Sequence, residues 1–312
     1  MTKLDVSCLA VRPTPEMKVR LAAFREERWI GYDSAVRIRE QIESLLDHPK
    51  THRMPNLVLI GESNNGKSMI LNSVRDRANP AYDINVTKVQ LPVIMVQAPP
   101  SPDEGRLYTR ILESLGLHVA SREPEDSKLR RIKVMFQHLN VQMLILDDFF
   151  NIAAGSIARR RKFLNALRNL SMDLSIPIVI SGTPETQNIL TADSSIANRF
   201  KPVFVRRWNE ERIEEYATFI VSIRPRLELA EGMDIMQRAT LMRLLQFSGG
   251  LLGETVEILR LFASWAVRSG TERITGDMVT WENLHALGYV LVVFRRRLHQ
   301  LTGRNARSAI NS

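Results

Sequence analysis

A short glycine-containing motif constrains this chain more than any other part of it. The pattern G-x-x-x-x-G-K-S occupies residues 61–68. An apolar run at residues 57–60 precedes it, and apolar residues spaced along one helix face follow it. This order of strand, loop and helix is the context that a phosphate-binding loop requires. The sequence therefore predicts an α/β fold with a phosphate site at the end of its first strand.

The residue types in this loop suit a bound triphosphate. Gly61 and Gly66 let the backbone approach phosphate oxygens without a Cβ in the way. Successive amides and the helix N-terminus then face the anion. We expect Lys67 to contact the β- and γ-phosphates of ATP and the Ser68 hydroxyl to ligate Mg²⁺. The predicted nucleotide-binding set is the loop and the residue after it: Gly61, Glu62, Ser63, Asn64, Asn65, Gly66, Lys67, Ser68 and Met69.

An acidic signature follows further along the chain. Residues 142–148 read as an apolar strand that ends in two carboxylates, Asp147 and Asp148. We expect Asp147 to hold Mg²⁺ together with Ser68, and Asp148 to orient or deprotonate the attacking water. A helix or turn cap is the alternative for Asp148. A later strand ends in Ser-Gly-Thr, where a hydroxyl or amide is placed to sense the γ-phosphate, and Thr183 is the residue we select there.

Two aromatic residues lie upstream of the loop. Trp29 and Tyr32 flank a short apolar element just before a predicted helix at residues 33–47. Aromatic side chains ahead of a phosphate loop can hold an adenine ring, so both are candidate nucleotide contacts. They can equally close the edge of a hydrophobic core, and the sequence does not decide between the two.

The order of predicted elements divides the chain. Strands alternate with helices from about residue 56 to residue 205, which predicts a parallel sheet with helices on both faces. From Trp208 onward only helices are predicted, as an all-α lid. We therefore expect four regions: an N-terminal helical segment (1–55), a nucleotide-binding α/β domain (56–206), a helical lid (207–290) and a basic C-terminal helix and tail (291–312).

Composition narrows the compartment and the partners. No apolar run is long enough to span a membrane, and residues 1–12 lack the apolar core of a secretion signal. The chain has one cysteine, Cys8, which favours a reducing compartment, so we expect a cytoplasmic protein without a membrane partner. The net charge of +9 favours a polyanionic partner, with nucleic acid foremost.

Together these features resemble the AAA+ ATPases. The resemblance is carried by the phosphate loop, the acidic strand end, the Ser-Gly-Thr strand end, Arg199 and the helical lid. It implies a P-loop NTPase core with a parallel sheet flanked by helices, followed by a C-terminal all-α lid. ATP and Mg²⁺ are the implied cofactors.

The chain resembles more closely the transposition regulators of the TniB/TnsC type. Five stretches carry this resemblance: 28–32, 53–56, 176–183, 196–200 and 248–254. It implies an ATPase that assembles with copies of itself into a ring or helical filament on duplex DNA, and that links a target-selection protein (TniQ-like) to a transposase. Arg199 would then be the finger that contacts a neighbour's γ-phosphate. A salt bridge within its own subunit is the alternative for Arg199.

The sequence departs from the AAA+ pattern in two places. The acidic pair is Asp147-Asp148, where Asp-Glu is usual, and the shorter second side chain moves the carboxylate back by about 1.5 Å. We therefore expect slow hydrolysis, below about 1 s⁻¹, with ATP acting as an assembly switch. The lid entry at residues 249–254 has no arginine for the phosphates, and Arg260 is the only substitute we identify there.

Basic residues on two predicted helices are the candidates for DNA contact. They are Arg106, Arg110, Lys128, Arg130 and Arg131. Contacts of this kind to backbone phosphates carry no base code, so binding should be sequence-independent and sensitive to salt. Solvated surface is the alternative for each residue. Two other functions stay open for the whole chain: a replication or helicase-loading AAA+ ATPase, and a nucleotide-binding protein scaffold.

Overall fold

The computed structural model describes residues 2–51, 53–81, 89–191 and 194–290. The chain divides into two compact units, which we call the core unit, from Asp33 to Arg206, and the helical unit, formed by residues up to Tyr32 together with those from Arg207 onward. The expected N-terminal segment 1–55 is therefore split after Tyr32. The expected C-terminal helix and tail, 291–312, lie outside the described residues.

Five parallel strands form the sheet of the core unit. They are Asn56–Gly61 (β1), Val93–Gln97 (β2), Met143–Asp147 (β3), Ile178–Gly182 (β4) and Phe200–Val205 (β5). Their spatial order is β2-β3-β4-β1-β5. The inner strands β1, β3 and β4 are buried throughout, as expected for a parallel sheet covered on both faces. The predicted parallel sheet is confirmed, and its fourth strand ends at Gly182.

Helices surround this sheet and build the second unit. In chain order they are Pro15–Ala23 (α1), Asp33–Glu43 (α2), Lys67–Ala78 (α3), Glu104–Ser114 (α4), Glu125–His138 (α5), Ile157–Leu174 (α6), Pro184–Thr191 (α7), Ser194–Ala197 (α8), Ile213–Ile223 (α9), Arg238–Ser248 (α10), Leu252–Ser269 (α11) and Trp281–Ala286 (α12). Helices α2 to α8 belong to the core unit. No described helix has the length and apolar character that crossing a membrane would need.

Buried apolar side chains join the sheet to its helices. Leu107 and Ile111 of α4, Ile132 of α5 and Leu167 of α6 are fully buried in one cluster with the side chains of β3 and β4. Burying each side chain of this size contributes about 1.5–3 kcal/mol to stability. The apolar spacing of these helices, read from the sequence, is therefore what fixes them on the sheet.

A buried asparagine fixes the alignment of β1 with β4. The Asn56 Oδ1 atom accepts hydrogen bonds from the Ile178 amide at 2.7 Å and from the Ser171 hydroxyl at 3.2 Å. In the resulting register Leu59 lies beside Ser181, and Ile60 beside Gly182. The carboxyl ends of β3, β4 and β1 therefore meet at one edge of the sheet, which is where ligands bind in folds of this kind.

The helical unit contains two strands that were not predicted from the sequence. Gly232–Asp234 (β6) and Arg273–Thr275 (β7) form a short parallel pair. The predicted helix at 275–287 is accordingly shorter, beginning at Trp281. Near this pair, Arg20 of α1 donates two hydrogen bonds of 2.7 Å to the carboxylate of Glu272. Such a bidentate pair stabilises the packing of the N-terminal segment within this unit.

Candidate nucleotide site

The phosphate loop joins β1 to α3 in a left-handed turn. Asn64 and Gly66 have positive φ angles of 61° and 79°. Gly66 is the N-cap of α3, and a glycine has no side chain with which to cap a helix. The first amides of an α-helix have no partner within the helix, so those that begin at Lys67 are directed toward the loop. Ser68 and Met69 follow in the same turn and are half-buried.

The loop is held close to the end of β5. Asn65 is buried, and its side-chain amide donates a hydrogen bond of 3.0 Å to the Val205 carbonyl. A Cβ on Gly61 would lie 3.0 Å from this same oxygen. A larger residue at 61 would push the loop away from β5, because Cβ contacts this short are uncommon. Glu62 is half-buried, and Ser63 and Asn64 are exposed at the tip of the loop.

Lys67 folds over its own loop. Its ammonium donates hydrogen bonds to the main-chain oxygens of Gly61, at 3.0 Å, and Glu62, at 2.9 Å. Burial lowers the pKa of Lys67, and the negative charges of Asp147 and Asp148 partly oppose that shift. The charged form is therefore favoured by the carboxylates of the neighbouring strand. These interactions place the cation between the loop and the acidic end of β3.

Ser181 links the two carboxylate residues. The buried Ser181 hydroxyl donates a hydrogen bond to the Asp147 carboxylate. The amide of Asp148 donates to Asp147 Oδ1 at 3.0 Å and to Ser181 Oγ at 3.2 Å. One hydroxyl on β4 thus orients the side chain of Asp147 and the backbone of Asp148 together.

Asp148 occupies a left-handed conformation with φ of 56° and ψ of 44°. It leaves β3 and leads into the 3-10 helix Phe149–Ala154. Its side chain is exposed, but partial burial and the charge of Asp147 raise its pKa, while Lys67 lowers it. A carboxylate with a raised proton affinity is suited to accept a proton from water.

Thr183 lies one residue beyond β4 and contacts α7. Its amide donates to the Thr186 hydroxyl at 3.2 Å. Its own hydroxyl bonds to Glu185 and thereby lowers the pKa of that carboxyl. Among the residues of the Ser-Gly-Thr strand end, the hydroxyl on Asp147 is therefore that of Ser181, and the assignment of Thr183 stays a prediction. A serine in a strand otherwise built of isoleucine and valine was the available signal.

Trp29 and Tyr32 lie in the helical unit. Tyr32 is 6% exposed, and its ring centre lies 5.2 Å from that of Trp208 and 5.4 Å from that of Phe219. Trp29 is half-buried, and its carbonyl accepts a hydrogen bond of 2.6 Å from Arg226. Tyr32 therefore contributes to a hydrophobic core, and the proposed contacts of both residues with adenine stay predictions.

Arg199 lies at the amino edge of the sheet, where β5 begins. Its carbonyl accepts a hydrogen bond of 3.3 Å from the Asn56 amide. Burial, and then the positive charges of Arg53 and Arg168, lower the pKa of the Arg199 side chain. Within the described ranges no carboxylate forms an ion pair with Arg199, so the salt bridge considered as its alternative role is not found there.

The candidate DNA contacts differ in how far they are already engaged. Arg106 is 63% exposed and lies 3.8 Å from Asp103, and Arg110 donates to the carbonyls of Gln97 and Ala98. Arg131 forms an ion pair of 2.7 Å with a glutamate, whereas Lys128 and Arg130 form none with any residue that the structure describes. The Asp103 side chain also caps α4 by accepting from the Arg106 amide. This helix end therefore presents a carboxylate, which counts against phosphate binding at its amides.

The architecture resembles that of several solved structures at low sequence identity. The ORC2 protein of Aeropyrum pernix, in ADPNP–ADP complexes, matches with a TM-score of 0.63 and 13% identity, over 88% of this chain and 73% of that one. The ORC1 protein of the same organism, in complex with DNA, gives 0.59 and 13%, over 85% and 69%. A Walker-type ATPase of Pyrococcus abyssi gives 0.59 and 13%, over 91% and 81%. Identities this low establish a shared fold and nothing more.

The fold is that of the AAA+ ATPases: a parallel five-stranded sheet flanked by helices, followed by a C-terminal helical region. A family model described as "Bacterial TniB protein" matches residues 20–210, which is more than half of the sequence. The chain therefore belongs to the TniB family, and the resemblance noted from the sequence is confirmed. Family and fold together define a transposition-associated protein of the AAA+ class. Among curated proteins, none matches this sequence.

Proposed function

We propose that this protein is an ATP-dependent regulator of DNA transposition that assembles with its own copies on duplex DNA. In that assembly it bridges a target-selection protein to the transposase, and slow hydrolysis of ATP limits the lifetime of the complex. The observation that carries the proposal is the meeting of three groups at one sheet edge, in a chain of the TniB family. These groups are the Lys67 ammonium, the amides that begin α3 and the Asp147 carboxylate fixed by Ser181.

The residues at this edge fit ATP with Mg²⁺. The helix N-terminus lacks a capping side chain, so its amides and Lys67 supply positive charge and hydrogen-bond donors for phosphate oxygens. Ser68 and Asp147 supply the hydroxyl and carboxylate oxygens that Mg²⁺ prefers, one after β1 and one at the end of β3. Bound Mg²⁺ would offset charge that develops on the transferred phosphoryl group.

The protein side chains have separate tasks in hydrolysis. Lys67 exchanges its main-chain acceptors, Gly61 and Glu62, for phosphate oxygens when nucleotide binds. Asp148 accepts a proton from the attacking water, for which its raised pKa and exposed side chain are suited. Ser181 holds Asp147 and the Asp148 backbone in place without touching the reacting atoms.

DNA binding is proposed from the family and from the charge of the chain. One protein of the same fold, an archaeal ORC1 protein, was solved in complex with DNA. The net charge of +9 favours a polyanion, and Arg106 and Arg130 are exposed on the surface of the core unit. Contacts of this kind would position the protein on any duplex sequence.

Electron microscopy of the protein on duplex DNA with a non-hydrolysable ATP analogue tests this function. We expect rings or helical filaments on the DNA with the wild-type protein. Lys67→Ala should abolish both nucleotide binding and assembly, because the phosphates lose their only lysine in this loop. If Lys67→Ala protein binds nucleotide and assembles as the wild type does, the proposed function is wrong.

Charge reversal tests the DNA surface separately. Arg106→Glu combined with Arg130→Glu should abolish DNA binding while nucleotide affinity stays unchanged. Arg75→Glu is a matched control, since Arg75 is an exposed arginine of α3 that already pairs with Asp76. Unchanged DNA affinity in the double variant would remove Arg106 and Arg130 from the interface.

A further inference from the structure

Three arginines cluster at the amino edge of the core sheet. Arg199 begins β5, Arg53 precedes β1, and Arg168 lies on α6. Arg53 and Arg168 act electrostatically on Arg199 and so lie close to it. Other arginines of this unit pair with acids, as Arg77 does with Glu43 at 2.9 Å. In the portion of the chain that the structure describes, none of the three clustered arginines has such a partner.

The cluster borders an open cleft of about 500 Å³. Arg53 and Arg199 both line this cleft, with Lys201 and His48 beside them. A backbone hydrogen bond from the Asn56 amide to the Arg199 carbonyl, 3.3 Å long, holds the two arginine-bearing segments together. The positive groups are therefore fixed on strands of the sheet and directed toward a space that a ligand can enter.

Unpaired positive charges held together destabilise the fold unless an anion binds among them. A protein keeps such an arrangement where the anion is part of its function. Guanidinium groups bind phosphate oxygens through two parallel hydrogen bonds, which makes phosphate the favoured ligand class. The cleft therefore has the charge and the donors of a phosphate site.

The position of the cluster excludes the phosphate loop of its own chain. Asn56 and Gly61 stand at opposite ends of β1, and a strand of that length spans roughly 17 Å at about 3.3 Å per residue. An extended arginine side chain covers roughly 7 Å. Arg53 and Arg199 therefore cannot contact phosphates bound at the other edge of the same sheet.

We propose that Arg53, Arg168 and Arg199 form one anion site that binds the triphosphate held in the phosphate loop of a second copy of this chain. The inference rests on the proposed function and extends it, because it adds Arg53 and Arg168 to the contact expected of Arg199. Arg199 contacts the γ-phosphate, and the other two arginines offset the remaining charge of the triphosphate. They also repel Arg199 and so keep it from folding onto its own subunit.

A triphosphate suits this cleft better than duplex DNA does. Three guanidinium groups around one cleft match several negative charges carried by one compact group. Phosphates of a DNA strand carry one charge each and are spread along the backbone. The contact would join the amino edge of one sheet to the carboxyl edge of another, which is a head-to-tail interface. Repetition of such an interface generates rings or helical filaments.

Paired substitutions test the two added arginines. Arg53→Ala with Arg168→Ala should lower the turnover of ATP at least tenfold and raise the protein concentration needed for ATP-dependent assembly. Nucleotide affinity at dilutions below assembly should stay unchanged, because each copy keeps its own phosphate loop. Arg53→Lys with Arg168→Lys should recover part of the loss, since the charge returns without the bidentate geometry. Arg122→Ala, at an exposed arginine outside the cluster, is the control and should match the wild type.

A mixing experiment shows whether the site acts between copies. The Lys67→Ala variant keeps the three arginines, and the Arg53→Ala/Arg168→Ala variant keeps the phosphate loop. Each should be nearly inactive alone, and an equimolar mixture should regain turnover because intact arginines then face intact loops. Regained turnover also demonstrates that both variants are folded. Failure of the mixture to regain turnover would contradict a site that acts between copies.

The outcomes separate this inference from the proposed function. If Lys67→Ala does not weaken nucleotide binding, the proposed function itself fails. If Lys67→Ala does weaken it, but Arg53→Ala/Arg168→Ala turns over and assembles as the wild type does, only the three-arginine site is refuted. A loss of duplex DNA affinity in that variant, measured without nucleotide and with normal turnover, would assign the cluster to nucleic acid and overturn the inference.

Discussion

The residue after Asp147 shows how one backbone conformation limits the choice of side chain. Asp148 has a φ of 56°, in the left-handed region where Asp and Asn are tolerated far better than longer residues. Glutamate, which is usual at this position of the family pattern, would be more strained there. The shorter carboxylate is therefore consistent with the local backbone as well as with slow hydrolysis.

Removing the Ser181 hydroxyl should damage catalysis more than nucleotide binding. A hydrogen bond to a charged group contributes about 1.5–3 kcal/mol, so Ser181→Ala should lower kcat by roughly 10- to 100-fold. Mg²⁺ should also bind more weakly, because Asp147 loses the donor that orients it. Thr183→Ala is the comparison, since the Thr183 hydroxyl contacts Glu185. A larger loss of kcat in Thr183→Ala would show that the assignment to Ser181 is wrong.

The pH dependence of turnover should report the ionisation of Asp148. Burial and the charge of Asp147 raise its pKa, and only the deprotonated carboxylate can accept a proton from water. Turnover should therefore fall as the pH drops through a value above the ordinary aspartate pKa of about 3.9. Asp148→Asn, which keeps a side chain suited to positive φ, should remove this acidic limb along with most of the activity. An unchanged acidic limb in the residual activity of Asp148→Asn would assign it to another group.

At the scale of elements, the sequence predicts what depends on local pattern. The five strands of the core sheet and the loop after β1 follow from apolar runs and glycine spacing, and all are present. The bond from Ser181 to Asp147 depends on β4 lying beside β3, and the order of strands in space is not written in local pattern. The pair β6 and β7 was missed because three-residue strands carry too little periodicity to detect.

The helical unit depends on glycines that permit positive φ, and one of them also permits a close contact. Gly250 has φ of 70°, and a Cβ there would lie 2.1 Å from the Trp208 carbonyl oxygen. Gly270 has nearly the same φ, 72°, but a Cβ there would meet nothing within 4 Å among the described residues. The two positions therefore separate the cost of backbone conformation from the cost of a clash.

Alanine at these two positions should destabilise the protein by different amounts. Gly270→Ala should cost about 1–2 kcal/mol of unfolding free energy, which is the cost of a left-handed conformation for a residue with a Cβ. Gly250→Ala should cost clearly more, because the backbone at Trp208 must also move away from residue 250. Urea unfolding monitored by tryptophan fluorescence measures both, and Trp208 lies in the affected cluster. Equal costs for the two variants would contradict the close approach of Gly250 to the Trp208 carbonyl.

At the scale of the whole molecule, the two edges of the core sheet have opposite chemistry. One edge carries the carboxylates and the phosphate loop, and the other carries three arginines with no acidic partner in the described residues. A molecule with two complementary ends of this kind favours head-to-tail association over a symmetric dimer. ATP bound at one end would supply the anion that the other end lacks, which makes assembly depend on the nucleotide.

If ATP closes each interface, hydrolysis should set how long the assemblies persist on DNA. Complexes formed with a non-hydrolysable analogue should stay intact, whereas those formed with ATP should decay at the rate of turnover, below about 1 s⁻¹. Asp148→Asn should prolong the ATP-bound assemblies without weakening their formation, because it removes the proposed base and leaves Lys67 and the arginines in place. Time-resolved light scattering after dilution into excess competitor DNA measures this decay. Equal lifetimes with ATP and with the analogue would show that hydrolysis does not control disassembly, and turnover faster than about 1 s⁻¹ would contradict the slow chemistry expected of Asp148.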